Sequence, residues 1–210
     1  MREGMISSNR ITGALSSAPK GKLVLIIGPS GVGKSVVLLE LKKLHPEFVF
    51  PRSATTRKQR SGESDDLYRF LSNTEFDELV ARGKVLEWAQ VHEGSRYGTL
   101  EEEIIPALTQ GRTVVREVDI QGFHSIRTHA LFSGEEARFP LVSIFILPES
   151  REGLIERIRK RAPIEEEELQ RRIASMNKEL QDADLCTARV VNRDGALEIT
   201  VQEVEKVIRG

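Results

Sequence analysis

The run Gly28-Pro29-Ser30-Gly31-Val32-Gly33-Lys34-Ser35 has the spacing G-x-x-x-x-G-K-[ST], and the spacing itself implies a chemistry. Glycines at these places let successive backbone N–H groups curl around phosphate oxygens, and a helix starting at the last residues adds positive potential. Lys34 then reaches the β- and γ-phosphates of a nucleotide, and the Ser35 hydroxyl can ligate Mg²⁺. With glycine near ~7% of residues, the pattern arises by accident in roughly one chain in a hundred of this length. Asp119 sits where a strand-like run, residues 113–118, ends. An acid there is either a group near a bound metal or an ordinary turn former.

Such a loop must sit between a buried strand and a helix, and the flanks supply both. Residues 22–27 are short, β-branched and almost continuously apolar, as a strand covered on both faces requires. Residues 33–45 carry Val36, Leu39, Leu41 and Leu44 for a packed helix, which Pro46 stops. Further on, 113–118 and 141–147 read as strands, and 189–191 as a final one. Residues 101–110, 152–161, 165–180 and 197–208 read as helices, the third with Leu169, Ile173, Met176 and Leu180 on one face. Its acidic run 165–168 suits the positive end of a helix. Alternating strands and helices predict an α/β fold, a mostly parallel sheet flanked by helices. Residues 52–98 differ, being charged and turn-rich, with Ser72-Asn73-Thr74-Glu75 as a capping box.

Composition narrows the class. The 210 residues hold 31 Lys+Arg against 32 Asp+Glu, a net charge of -1, with 39% hydrophobic and 30% charged residues. One domain of ordinary globular character fits these numbers. No global field attracts nucleic acid, and no apolar run approaches the ~18 residues of a membrane span. The single cysteine, Cys186, excludes an internal disulfide framework and a CxxC metal knuckle, and packing is its expected role. Residues 1–20 read as a flexible tail without an apolar signal core, so the expected location is cytoplasmic.

The residues after His45 separate the many proteins with phosphate loops. Ser53-Ala54-Thr55-Thr56-Arg57-Lys58-Gln59-Arg60-Ser61-Gly62-Glu63, then Tyr68, Glu87-Trp88-Ala89, Tyr97-Gly98-Thr99 and Asp119-Ile120-Gln121-Gly122, resemble the guanylate kinase family in order and spacing, from about Leu23 to the C-terminus. The resemblance implies a P-loop core (21–51, 99–156, 173–210) with an inserted GMP-binding sub-domain (52–98) and a helical lid (157–172). It implies that Arg57 and Arg60 clamp the GMP phosphate, whose oxygens match guanidinium forks, with Tyr68 and Tyr97 adding hydroxyls. Glu87 would accept from guanine N1–H and the 2-amino group, with Ser53 and Thr99 donating to O6 and Asp119 near GMP. Adenine lacks that donor pair, so discrimination follows. The loop 28–35 and Asn192 would hold ATP, with Mg²⁺ carried on the triphosphate.

The same resemblance gives Arg157, Arg161 and Arg172 to the transferred phosphoryl group, with the lid turning at Ala162-Pro163-Ile164. From the residues alone, Arg157 and Arg161 are like charges at i,i+4, and Arg157 has no acid three or four places away. That spacing costs a few tenths of a kcal/mol, and an anion arriving between the two reverses the sign. The implied reaction is phosphorylation of GMP, and of dGMP, by ATP; a different acceptor such as ribose 1,5-bisphosphate, or a non-catalytic interaction module, are the alternatives. His45, His92, His124 and His129 are expected to pack or face solvent. The chain departs from the family pattern in four places: Gln59 stands for a proline, 64–67 is about one residue short, Glu117 replaces an aspartate, and 129–140 is a longer, surface-loop connection.

Overall fold

The computed structural model describes residues 21–61, 63–90, 94–161 and 164–210, and of Arg161 only the backbone. The tail 1–20, His92, the lid turn at 162–163 and the Arg161 side chain lie outside the described residues. The central strand β1 (Leu23–Ile27) is buried along its whole length. It pairs in parallel with β6 (Val114–Glu117) on one side and β7 (Leu141–Pro148) on the other, and β8 (Ala188–Asn192) completes the order β6-β1-β7-β8.

Two-residue alternation divides β1 between two cores. Val24 and Ile26 meet Val37 and Leu41 of α1 (Lys34–Leu44) and Val204 and Ile208 of α7 (Leu197–Arg209). Leu23, Leu25 and Ile27 meet Ile104 and Leu108 of α3 (Glu101–Thr109) and Phe123 and Ile126 of α4 (Ile120–Arg127). The first core also takes Leu154 and Ile158 of α5 (Arg151–Arg161). Leu169 and Met176 of α6 (Glu166–Gln181) join it, with Ile173 and Leu180 packed alongside, as the sequence face requires. Glu166, Glu167 and Glu168 occupy the first turn of α6, where the helix dipole favours acids.

The inserted region contains a second sheet, β3-β2-β5-β4, that the apolar pattern does not announce. Its strands are β2 (Ser53–Thr55), β3 (Tyr68–Phe70), β4 (Val85–Gln90) and β5 (Arg96–Leu100). Two of them have only three residues, and β3 is half-buried throughout, so there is too little alternation to read. A small core of Ala54, Phe76 and Leu100 holds the sheet against α2 (Asn73–Ala81). The predicted capping box opens that helix: Glu75 N–H donates to Ser72 Oγ at 3.2 Å, and Ser72 N–H to the Glu75 carboxylate at 2.7 Å.

Two packing expectations are corrected. Val36, Leu39 and Leu44 are 53–56% exposed, because the face of α1 turned to β1 is the i,i+4 pair Val37 and Leu41. The connection 129–140 is not merely a surface loop. Phe132 and Phe139 are buried in the second core, and Arg138 and Phe139 N–H groups both donate to Leu131 O.

Candidate active site

All four central strands run in one direction, so their carboxyl ends form one edge, the usual ligand edge of an open α/β sheet. The phosphate loop follows β1. Glu117 ends β6 beside Ile26, and Asn192 ends β8 beside Pro148. The loop conformation leaves no room for larger residues at two points. At Gly28, φ is 144° and an added Cβ would lie 2.5 Å from Ile146 O. At Gly33, φ is 103° and a Cβ would lie 2.4 Å from Asn192 Nδ2.

Lys34 folds back over its own loop, donating to Gly28 O at 2.6 Å and Pro29 O at 3.1 Å. Burial holds its pKa below the ordinary lysine value, against the opposing pull of Glu117, Glu179 and Asp119. Ser35 Oγ donates to Glu117 at 2.9 Å, and Lys34 Nζ stands 3.8 Å from the same carboxylate. Asp119 is the N-cap of α4 and accepts from Gly122 N–H at 2.7 Å, which leaves its second oxygen without a described hydrogen bond. Among the described residues no cluster of three or more His, Cys, Asp or Glu could hold a metal ion. The oxygen pair of Ser35 and Glu117 suits instead a hard cation that takes the rest of its shell from phosphates and water.

Two clefts meet at this point. The smaller, about 310 Å³, runs between the phosphate loop and the side chains of Arg157 and Arg172. The larger, about 660 Å³, extends from Lys34 and Ser35 past Glu117 and Asp119 to Ser53 and Tyr68 of the inserted sheet. Lys34, Ser35 and Glu117 line both. Arg157 has a partner after all, from a distant part of the chain: its guanidinium donates to Asp194, and more weakly to Asn192 O at 3.5 Å. Arg172 Nε donates to Glu168 at 2.9 Å. Asn192 braces the loop from behind, its Nδ2 donating to Val32 O at 2.8 Å while Thr200 Oγ1 donates to its Oδ1 at 3.1 Å.

Tyr68 lines the far end of the larger cleft, and Arg57 lies against it, donating both arms to Glu63 at 2.7 and 3.0 Å with its guanidinium over Tyr68 and Phe70. The Arg57 bonds hold the Glu63 carboxyl down at about 2. Tyr68 and Tyr97 stand edge to face, 6.0 Å between ring centroids, and Arg60 is exposed in the same loop, its N–H donating to Glu63 at 3.0 Å. Glu87 is buried on β4, and burial pushes its carboxyl above the usual range against the pull of Arg116 and Thr99. Thr99 is fully buried and donates its hydroxyl proton to Glu87, so it faces the carboxylate and not an open cleft.

Glu117, Arg116, Glu179 and Asp194 are the neighbours of the site that sequence reasoning left without a role. Glu117 and Asp119 are two apart and leave one face of the strand end together, a signal present in the sequence. Arg116 interrupts an apolar strand, which also hints at a buried partner. Glu179 borders the larger cleft, accepts from Ser175 Oγ at 2.8 Å and is raised by burial; only the fold brings it there. The described histidines stand in packing and surface contacts: His45 stacks on Phe48 at 4.7 Å, His124 pairs with Asp182 at 3.0 Å, and His129 lies beside Phe132. Cys186 is half-buried against the second core.

No helix of the described residues is long and apolar enough to cross a membrane. The sequence model of the guanylate kinase family matches residues 20–210. A guanylate kinase of Prochlorococcus marinus is 42% identical over 194 residues, covering 92% of this chain and 97% of that one. One from Nostoc sp. is 40% identical over 191 residues, 90% of each. The crystal structure of guanylate kinase from Anaplasma phagocytophilum superposes with a TM-score of 0.66 at 26% identity, covering 91% of this chain and 86% of that one. With residues 20–210 matched by the family model and these relatives 40–42% identical over at least 90% of its length, the chain belongs to the guanylate kinase family.

Proposed function

We propose that this chain carries out the family's reaction, transferring the γ-phosphoryl group of ATP to the 5′-phosphate of GMP or dGMP in the cytoplasmic purine nucleotide pool, with the residues that border the two clefts. The observation that carries the reading is the meeting of those clefts at Lys34, Ser35 and Glu117, with Ser53 and Tyr68 lining the far end of the larger one and Arg57 and Tyr97 packed against Tyr68. The core comprises 21–51, 99–156 and 173–210, the acceptor sub-domain 52–98 and the lid 157–172.

The loop 28–35 cradles the ATP phosphates, and Lys34 exchanges its bonds to Gly28 O and Pro29 O for phosphate oxygens. Ser35 and Glu117 would hold Mg²⁺, with Asp119 acting from outside through water; the ion supplies neutralisation of the developing phosphate charge. Arg57, Arg60, Tyr68 and Tyr97 take the GMP phosphate, while Glu87, Ser53 and Thr99 select guanine, Thr99 by fixing Glu87. The acceptor phosphate is largely dianionic at pH 7, its second pKa lying near ~6, so no general base is needed. Catalysis is then positioning and charge stabilisation. Arg157, Arg161 and Arg172 close on the transferred group and keep water out, and Asn192 supports the loop beside the bound ATP. Burial of Glu87 at the acceptor end counts against a sugar phosphate, which has no guanine edge to offer.

A coupled ADP-release assay with GMP, dGMP, AMP, UMP and ribose 1,5-bisphosphate tests the reading. Turnover with GMP and dGMP far above the others is expected, and turnover confined to another acceptor would overturn it.

A further inference from the structure

Arg116 is an anomaly in its strand. It lies in β6 between Val115 and Glu117, only 6% exposed, where a buried apolar residue would satisfy the sheet. Its guanidinium leaves the central sheet and reaches the inserted one. It approaches Glu87 Oε1 at 3.5 Å and donates to Gly98 O at 3.2 Å and Arg52 O at 3.4 Å. Its Nε–H is buried with no partner among the described residues. A buried ion pair of this kind is weak evidence for stability, and an apolar pair of similar volume is often as good or better. The unpaired Nε–H adds to its cost.

What the arrangement does achieve is to fix one carboxylate. Thr99 Oγ1 and Arg116 both address Glu87 Oε1. Oε2 accepts no described hydrogen bond and lies on the side of Gly122, where an added Cβ would stand 3.0 Å from it. One oxygen is tied and the other has no described hydrogen-bond partner. We propose that Arg116 is a positioning residue for guanine recognition: it ties Glu87 of the inserted sheet to the phosphate-transfer centre of the core and keeps its free oxygen a hydrogen-bond acceptor. This rests on the reading of Glu87 as the guanine acceptor. Burial alone favours a protonated Glu87, and a protonated carboxyl offers an O–H donor where guanine offers N–H donors. The charged groups facing Glu87 are Arg116 from β6, which opposes protonation, and Asp119 from the cap of α4, which favours it.

The test compares wild type, R116M, R116K, E87Q and the neutral pair E87Q/R116M, with GMP and ATP varied separately. In R116M, KM for GMP is expected to rise about 10- to 100-fold, the range for an orphaned charge-assisted bond, with KM for ATP nearly unchanged. The acid limb of kcat/KM for GMP is expected to move to higher pH in R116M and to return toward wild type in R116K. Should R116M fail to fold, E87Q and E87Q/R116M carry the comparison, since the Gln amide oxygen can still accept from Arg116 in the first and no charge is buried at the pair in the second. Equal KM values for GMP in those two support the inference, and a further tenfold rise in the double variant overturns it. A folded R116M with wild-type KM and an unshifted acid limb overturns it as well. A wild-type enzyme that makes no GDP would instead sink the reading on which the inference rests.

Discussion

Replacing Gly33 by alanine tests the phosphate loop where its geometry is tightest. The backbone at Gly33 has φ 103°, and an added Cβ would meet Asn192 Nδ2 at 2.4 Å, well inside contact distance. The left-handed backbone alone costs roughly 1–2 kcal/mol for an L side chain. Displacing Asn192 breaks its 2.8 Å bond to Val32 O, and orphaning that buried carbonyl costs about 1–3 kcal/mol more. The sum, about 2–5 kcal/mol against the ATP-competent loop, corresponds to a rise of about 30-fold or more in the Kd for ATP. Calorimetric titration with ATP and Mg²⁺ reads the affinity, and denaturant unfolding verifies the fold. In an N192A background the obstructing amide is gone, so G33A should cost only the backbone part, about 5- to 30-fold. Wild-type affinity in G33A, or an equal penalty in both backgrounds, would refute the steric reasoning.

Three other expectations follow from the same geometry. E117Q weakens the carboxylate that accepts from Ser35, so the Mg²⁺ concentration for half-maximal activity should rise about tenfold, with kcat recovering at saturating Mg²⁺; an unchanged Mg²⁺ dependence would exclude Glu117 from the metal's surroundings. E87Q should impair GMP use far more than ATP binding, measured as separate KM values, and equal losses would make Glu87 a support of the fold. Burial pushes the Cys186 thiol up to about 11, so at pH 8 only about one molecule in a thousand carries the thiolate. Alkylation of the native protein should therefore be slow at pH 8, accelerate toward pH 11, and become fast at pH 8 on unfolding.

The parts of the fold that were legible in the sequence are those with strong, local physical signals. Residues 23–27 are buried on both faces because every one of Leu23 to Ile27 is apolar, and the loop after them declares itself through glycine spacing. The capping box at Ser72 and the apolar face of α6 are equally local. The inserted sheet was not legible as strands, because two of its strands have only three residues and the two longer ones do not alternate buried with exposed positions. Nor was the Arg157–Asp194 pair, whose members are 37 residues apart and meet only because α5 and the end of β8 share one edge. At Thr99 the residue was visible but its partner was not: the hydroxyl faces Glu87 because β4 and β5 are antiparallel neighbours that set the two residues opposite one another. Arg116 is the sharpest case, since its strand is plain from sequence while its reach into a second sheet depends on tertiary placement.

Following the label from [γ-³²P]ATP in the presence of GMP and Mg²⁺ bears most directly on the proposal that the two clefts join a phosphoryl donor to a GMP acceptor. The expected result is label in the β-position of GDP, formed one for one with ADP and lost when Lys34 is replaced by methionine. Label released as inorganic phosphate without GDP, or GDP formed equally well by K34M, would contradict direct transfer at this site.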